Sequence, residues 1–276
     1  MTRLPFLAIA LTLALPASAQ DLDTPSLSPG AQVTQTVGVA EITVSYSSPG
    51  KRDRTVWGEL VPWDEMWRTG ANSATTLETS HDLTIGGEAV PAGKYALFTI
   101  PGEKAWTVIV NGNPDQGGTR NYDKKLDQAR FTAEPSKGAD RERLTFVFAN
   151  TTATGADLEL IWAGTKVVLP IAVDTDAIVG ASIDDYLDSA AGNLTSGARY
   201  LLEKGEHERA LELVEAATSI DKSWFNTWIK AEILHEQEEH KAARKAALTA
   251  QKMGNEAENF FWKERVEKAL AEWPKK

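Results

Sequence analysis

Residues 56–72, VWGELVPWDEMWRTGAN, place Trp57, Trp63 and Trp67 within eleven positions and follow them with Arg68 and Asn72. An indole face stacks on sugar rings or cations, and a guanidinium presents planar donors that match a carboxylate or other anion. The segment therefore has the chemistry of a recognition surface, with Trp63, Trp67, Arg68 and Asn72 as candidate ligand-binding residues. The same residues also suit architecture. Three indoles can bury on the order of 150–250 Å² each, enough to anchor a long irregular crossover between two sheets, with Arg68 satisfying buried carbonyls. An arginine flanked by tryptophans must find its partner either inside the protein or in a ligand, and that partner separates the two readings.

The remaining chemistry-bearing stretches read more plainly. NGNPDQGGTRNYD (111–123) is longer than a hairpin turn requires. Asn111, Asn113 and Asp115 resemble the start of a calcium loop, but Gln116 stands where the turn glycine belongs and Tyr122 where the closing carboxylate belongs. We read a surface loop folding over the tryptophan segment, which adds Tyr122 and Asp123 to the candidate binding set. His235 and His240 in HEQEEH are five apart rather than the four of a zinc-binding helix, a rotation of roughly 140°. Packing or a helix surface, with no metal, is expected there. His81 adjoins Asp82 at the start of a strand, where neighbouring side chains point to opposite faces, and no G-x-S-x-G elbow offers a nucleophile. Nothing implies a cofactor. A carbohydrate-active hydrolase is the alternative function, with Asp64 or Glu65 paired with Asp123. It requires two carboxyl groups about 5–10 Å apart facing an open cleft.

Two kinds of element must position these residues. From about 31 to 173 short β-branched and aromatic runs (41–46, 94–100, 105–110, 144–148, 157–162 and 166–173) alternate with turn signals such as Gly86-Gly87, Pro91-Ala92-Gly93 and Pro101-Gly102. Strands at this spacing without intervening helices predict an antiparallel, jelly-roll-like β-sandwich. After Asp174 the period becomes helical. Ala210, Leu213, Val214 and Ala217 form one stripe, and Ala243, Ala246, Ala247 and Ala250 repeat it 33 positions further on. The offset also pairs Ala198 with Ala231, Leu201 with Leu234 and His207 with His240. YLLEKGEHERALELVEAATSID resembles a tetratricopeptide repeat, with Gly205, Ala210 and Ala217 at small-residue positions, although Glu238 replaces Gly205 in the second copy. The class is α+β, with a sandwich domain over 20–174 and tetratricopeptide-like helical hairpins over 175–276.

Residues 1–20, MTRLPFLAIALTLALPASAQ, have the form of a secretory signal peptide covering 1–19. Its apolar run is only about half of what a bilayer span needs, and no later segment is apolar enough to cross a membrane. The mature chain is expected in the periplasm or outside the cell, stabilised by burial because it has no cysteine. A net charge of −10 spread over both halves disfavours nucleic acid as a partner. The one locally basic spot is Lys51-Arg52-Asp53-Arg54.

The motif Trp57-Gly58, Leu60-Val61-Pro62, Trp67-Arg68-Thr69-Gly70-Ala71-Asn72, followed by Pro91 to Pro101, resembles the DUF2911 family over about 33–173. Trp63 stands where relatives often carry tyrosine. The resemblance implies export and a β-rich fold followed by a repeat-like helical tail, and it assigns no activity. The expected function is non-catalytic binding of a small molecule, glycan or peptide. The helical region is expected to offer a surface to a protein partner in a cell-envelope assembly.

Overall fold

The computed structural model describes residues 24–274; the signal peptide expected over 1–19 lies outside the described residues. The chain divides between Val173 and Asp174 into two compact units.

The first unit contains twelve strands: β1 (Gly30–Val37), β2 (Ala40–Ser47), β3 (Thr75–Thr79), β4 (Leu83–Ile85), β5 (Glu88–Val90), β6 (Gly93–Ile100), β7 (Trp106–Asn111), β8 (Asp127–Ala133), β9 (Ser136–Lys137), β10 (Thr145–Ala149), β11 (Gly155–Trp162) and β12 (Thr165–Ala172). They form two antiparallel sheets. One runs β1-β2-β3-β6-β7-β8, the other β10-β11-β12-β4-β5, with β9 paired to β12. Burial alternates along β2 and β11, as a strand with one face inward requires. Val44, Leu77, Leu97 and Val108 from the first sheet, and Leu158, Leu160, Val167 and Leu169 from the second, supply fully or nearly fully buried side chains. Gly86 and Gly87, both at positive φ, close the β4–β5 hairpin.

The connection over residues 48–74 is not a crossover between sheets. Strands β2 and β3, which it joins, are neighbours in one sheet, with Val44 opposite Leu77. The chain makes an excursion and returns, and on the way it borrows hydrogen bonds from the approach to β10. The Leu144 amide donates to the Pro49 carbonyl, and the Lys51 amide to that of Glu142. The excursion is thereby tied to both sheets while belonging to neither.

The second unit is helical: α1 (Thr175–Glu203), α2 (His207–Ile220), α3 (Trp224–Glu236), α4 (His240–Glu256) and α5 (Lys263–Glu272). Positions related by the 33-residue offset are buried alike. Ala198 and Ala231, Ala210 and Ala243, and Ala217 and Ala250 are all fully enclosed. Alanine at these points lets the helices approach closely. Ser223 starts α3 with a reciprocal cap, its hydroxyl accepting from the Asn226 amide while the Asn226 side chain accepts from the Ser223 amide.

HEQEEH does not form one helix. The chain turns at 237–239, so the separation calculated for a continuous helix does not apply. The His235 and His240 rings instead lie 5.5 Å apart, centroid to centroid, across the turn. His235 stacks on Trp273 at 4.3 Å, and Trp273 stacks on Trp228 at 5.6 Å.

Candidate functional site

Five tryptophans gather where the 48–74 excursion meets the sandwich. Trp106 opens β7 in one sheet and Trp162 closes β11 in the other; both are almost fully buried. Trp57 sits at the hub, with ring centroids 4.9 Å from Trp106, 5.7 Å from Trp162, 5.9 Å from Trp67 and 6.4 Å from Trp63. Most of these pairs meet edge to face, the arrangement that places a ring's positive edge on its neighbour's negative face. Trp67 lies nearly parallel to Trp162 at 6.0 Å.

Main-chain bonds hold Trp67 against β6, with its amide donating to Thr99 and its carbonyl accepting from Thr99. The tight bend that follows explains the residues after it. Thr69 and Asn72 both adopt positive φ, 55° and 56°. The Thr75 hydroxyl donates to the Thr69 carbonyl, and the Thr69 hydroxyl meets that of Thr99. Gly70 has no room for a side chain, because a Cβ there would lie 2.9 Å from Thr75 Oγ1 and 3.2 Å from the Ser47 carbonyl. The Asn72 amide group donates to Ser28 O and Ser47 Oγ, fixing the end of the bend.

Arg68 projects from this bend. Its Nη1 donates to the Asn72 carbonyl at 2.7 Å, one bond out of a capacity of five. The side chain is half-buried beside a cleft of 280 Å³ that also takes in Arg52, Arg54, Asn72, Trp67 and Trp162; among the described residues no aspartate or glutamate lines it. Arg54 is held in place by main-chain oxygens, with Nε donating to Lys51 O and Nη2 to Gly50 O. Ion pairs in this unit join Lys51 to Asp140, Lys94 to Glu78, Arg130 to Asp127 and Lys166 to Glu159. Among the described residues Arg52, Arg54 and Arg68 take part in none. The indole N–H groups are already engaged, Trp67 with Gly70 O and Trp162 with Glu142 O, so the ring carbons form an apolar wall.

The 111–123 loop folds over this segment. The Ala74 amide donates to the Gln116 carbonyl, and Gly118 lies so close to the Arg68 guanidinium that a Cβ would stand 3.4 Å from Cζ. Asn111 and Asn113 bind the loop itself rather than leaving oxygens free for a cation: Gln116 Nε2 donates to Asn111 Oδ1 and Asn113 O.

Three of the six expected site residues, Trp67, Arg68 and Asn72, line the cleft; Trp63, Tyr122 and Asp123 do not. Trp63 packs over Gly58, where a Cβ would stand 2.6 Å from its Nε1, because the turn from Val56 to Val61 directs it there. Tyr122 packs edge-on against Phe98 and donates its hydroxyl to Asp127 while accepting from Arg130. Burial first, then Asp127, holds its phenol above the usual tyrosine range. Asp123 caps the short 3-10 turn at Lys124–Leu126, accepting from the Lys125 amide. Asp64 and Glu65 are exposed and also lie outside the cleft lining. His81 accepts or shares a proton with Ser80 Oγ in the bend between β3 and β4, and Asp82 accepts from the Ala92 amide. Arg52, Arg54 and Trp162 were not joined to the site by sequence reasoning. The available signal was the basic spot at 51–54 in an otherwise acidic chain.

No curated protein and no solved structure matches the chain. The profile of the family described as "Protein of unknown function (DUF2911)" matches residues 28–171, which include the indole cluster, the arginine cleft and the loop that covers Arg68. That match spans just over half of the 276 residues, and the protein belongs to the DUF2911 family.

Proposed function

We propose that the protein is an exported, non-catalytic binding protein that takes a small molecule, glycan or peptide in the cleft beside Trp67 and Arg68. One observation carries the reading. Arg68 is a half-buried guanidinium with a single protein hydrogen bond, standing at a hollow with an apolar indole wall. A binding site combines these parts: an apolar surface that gives affinity and a few fixed polar groups that orient the ligand. The helical unit, whose hairpins repeat in the manner of tetratricopeptide repeats, would present a separate surface to a protein partner in an envelope assembly.

The test is a thermal-shift screen of the protein against glycans, short peptides and small metabolites, repeated with Arg68→Ala. A ligand at one hundred times its dissociation constant stabilises the folded state by about 2.7 kcal/mol. Shifts present in the parent and absent in the variant support this cleft. Shifts that persist unchanged in Arg68→Ala exclude it.

A further inference from the structure

We infer that the ligand of this cleft carries a multiply charged oxyanion, a phosphate monoester or a polycarboxylate, on a small body. The inference rests on the cleft being the binding site and adds the chemical class of what enters it. Arg52 and Arg54 reach the cleft from the start of the 48–74 excursion and Arg68 from its far end. Three cations are thus assembled from two stretches of a chain whose net charge is −10. Like charges brought together repel one another, and an anion placed among them relieves that repulsion while using donors that the carbonyl bonds leave over.

Among the described residues the nearby acids do not serve as that anion: Asp53, between Arg52 and Arg54 in the chain, is exposed and does not line the cleft. Asp140 is paired with the Lys51 ammonium, and the Glu142 carboxylate accepts from the Arg52 main-chain amide. Each acts on the main chain or on Lys51, and neither lines the cleft. Arg54 and Arg68 are fixed by carbonyls through some donors and keep others free, Nη1 in Arg54 and Nε and Nη2 in Arg68 having no bond among the described residues. Guanidinium groups held in advance lose little freedom on binding. Donors approaching from several directions fit an oxyanion with three or more oxygens better than a single carboxylate, which one planar fork satisfies. The volume of 280 Å³ lies just below the usual range for ligand cavities, ~300–1,000 Å³, and so admits a headgroup with a small substituent rather than a polymer chain. The carbon edges of Trp67 and Trp162 would cover that substituent and lower the local dielectric around the charges.

The experiment is isothermal titration calorimetry of the full protein in a phosphate-free buffer. The probes are inorganic phosphate, a hexose phosphate, citrate and the uncharged hexose; the variants are Arg52→Gln, Arg54→Gln, Arg68→Ala and Trp67→Ala. Arg52 is exposed and its side chain makes no hydrogen bond among the described residues, so Arg52→Gln leaves the fold intact and tests charge alone. The expected result is binding of at least one of the three anions and not of the uncharged hexose. Each arginine substitution should then weaken it about tenfold or more, and salt should weaken it further. A preference for the hexose phosphate over citrate, or the reverse, identifies which oxyanion is held. Failure of all three anions to bind overturns the proposal. A neutral ligand bound through Trp67 and Arg68 but indifferent to Arg52→Gln and to salt overturns the anionic class while leaving the cleft as the site. Anion binding that survives every substitution overturns both.

Discussion

Arginines and aromatic side chains share a surface in both units of this protein, with different outcomes. In the helical unit Arg265 lies over Trp262 at 4.7 Å and hydrogen-bonds Glu232; Arg199 lies over Trp262 and Phe225; Arg244 donates to the Leu270 carbonyl; and Arg209 pairs with Glu206. Three of these arginines are engaged by a ring or a carboxylate, and Arg244, like Arg68, has one bond to a main-chain carbonyl. In the β unit Arg52, Arg54 and Arg68 surround a hollow walled by indoles and have no carboxylate partner among the described residues. An arginine over an aromatic ring is therefore no sign of a site by itself. What distinguishes the cleft is that three guanidinium groups without a carboxylate partner among the described residues gather around one hollow.

The widest gap between architecture and recognition should appear within the β unit itself. Trp57 touches four other indoles and lines no cleft. Trp57 is partly buried, so Trp57→Ala should lower the unfolding free energy by about 2–4 kcal/mol, somewhat below the ~3–5 kcal/mol of truncating a fully buried large aromatic side chain. Arg68→Ala removes one hydrogen bond to a carbonyl and should cost about 0.5–1.5 kcal/mol. Urea denaturation followed by tryptophan fluorescence measures both. Equal losses from the two substitutions would mean that Arg68 is part of the core, and the separation between cluster and cleft would fail.

The engaged arginines of the helical unit give a second contrast, one that depends on pH. Burial raises the Glu232 carboxyl above its ordinary value of 4.5, and Arg265 pulls it back down. An acid whose folded value is raised binds its proton more tightly in the folded state. Its contribution to stability is therefore full below the unfolded value and is lost as pH rises through the folded one. Arg265→Ala strands the Glu232 carboxylate and should cost about 1–2 kcal/mol at neutral pH, less than the ~3–5 kcal/mol of a fully buried pair, since the Arg265 side chain is 55% exposed. The loss should shrink as the pH falls towards 4.5 and should largely disappear in Arg265→Ala/Glu232→Gln. Chemical denaturation at several pH values reads this directly. A flat pH profile would show that Glu232 is not the stranded group. Arg68→Ala, with no carboxylate to strand, should show no such profile.

What the sequence revealed follows the same division. Periodic elements were legible because one face of each is buried at a fixed repeat, hence the helical hairpins and the six strands rich in β-branched and aromatic residues. Strand β3, TTLET, reads as polar because its inward threonines look like surface residues. Thr75 and Thr79 are buried with hydroxyls donated to the carbonyls of Thr69 and His81, partners visible only in three dimensions. Strand β8 carries Asp127 and Arg130, which bond to each other and to Tyr122, and β1 has exposed polar side chains at Gln32, Thr34 and Thr36 along a sheet edge. That Trp67, Arg68 and Asn72 share one cleft lining was legible because they are neighbours in one bend. Arg52 and Arg54 were visible only as local charge, since their approach to Arg68 depends on bonds to residues 142 and 144 far along the chain. Tyr122 and Asp123 lie outside the cleft lining because neighbours in the chain supply their partners, Asp127 for Tyr122 and the Lys125 amide for Asp123.

The smallest predicted effect concerns backbone shape and differs in sign between the two regions. Gly205 has φ of 76° in the turn between α1 and α2, and Glu238 has φ of 62° at the equivalent place between α3 and α4. A non-glycine residue in this left-handed region costs roughly 1–2 kcal/mol, and glycine gives back about 0.5–1 kcal/mol through the freedom it adds to the unfolded chain. Glu238 is exposed and its side chain takes part in no hydrogen bond or ion pair among the described residues. Glu238→Gly should therefore stabilise the protein by about 0.5–1 kcal/mol. Thr69, at φ 55°, has the same backbone strain beside the cleft. Its buried hydroxyl meets Thr99 Oγ1, so Thr69→Gly relieves the strain but abandons a buried hydrogen bond and leaves a void. That substitution should destabilise. Paired thermal melts of the two variants decide the matter: if both melt higher than the parent, the bend at Thr69 is an ordinary turn, and its strain is not maintained to hold Arg68 at the cleft.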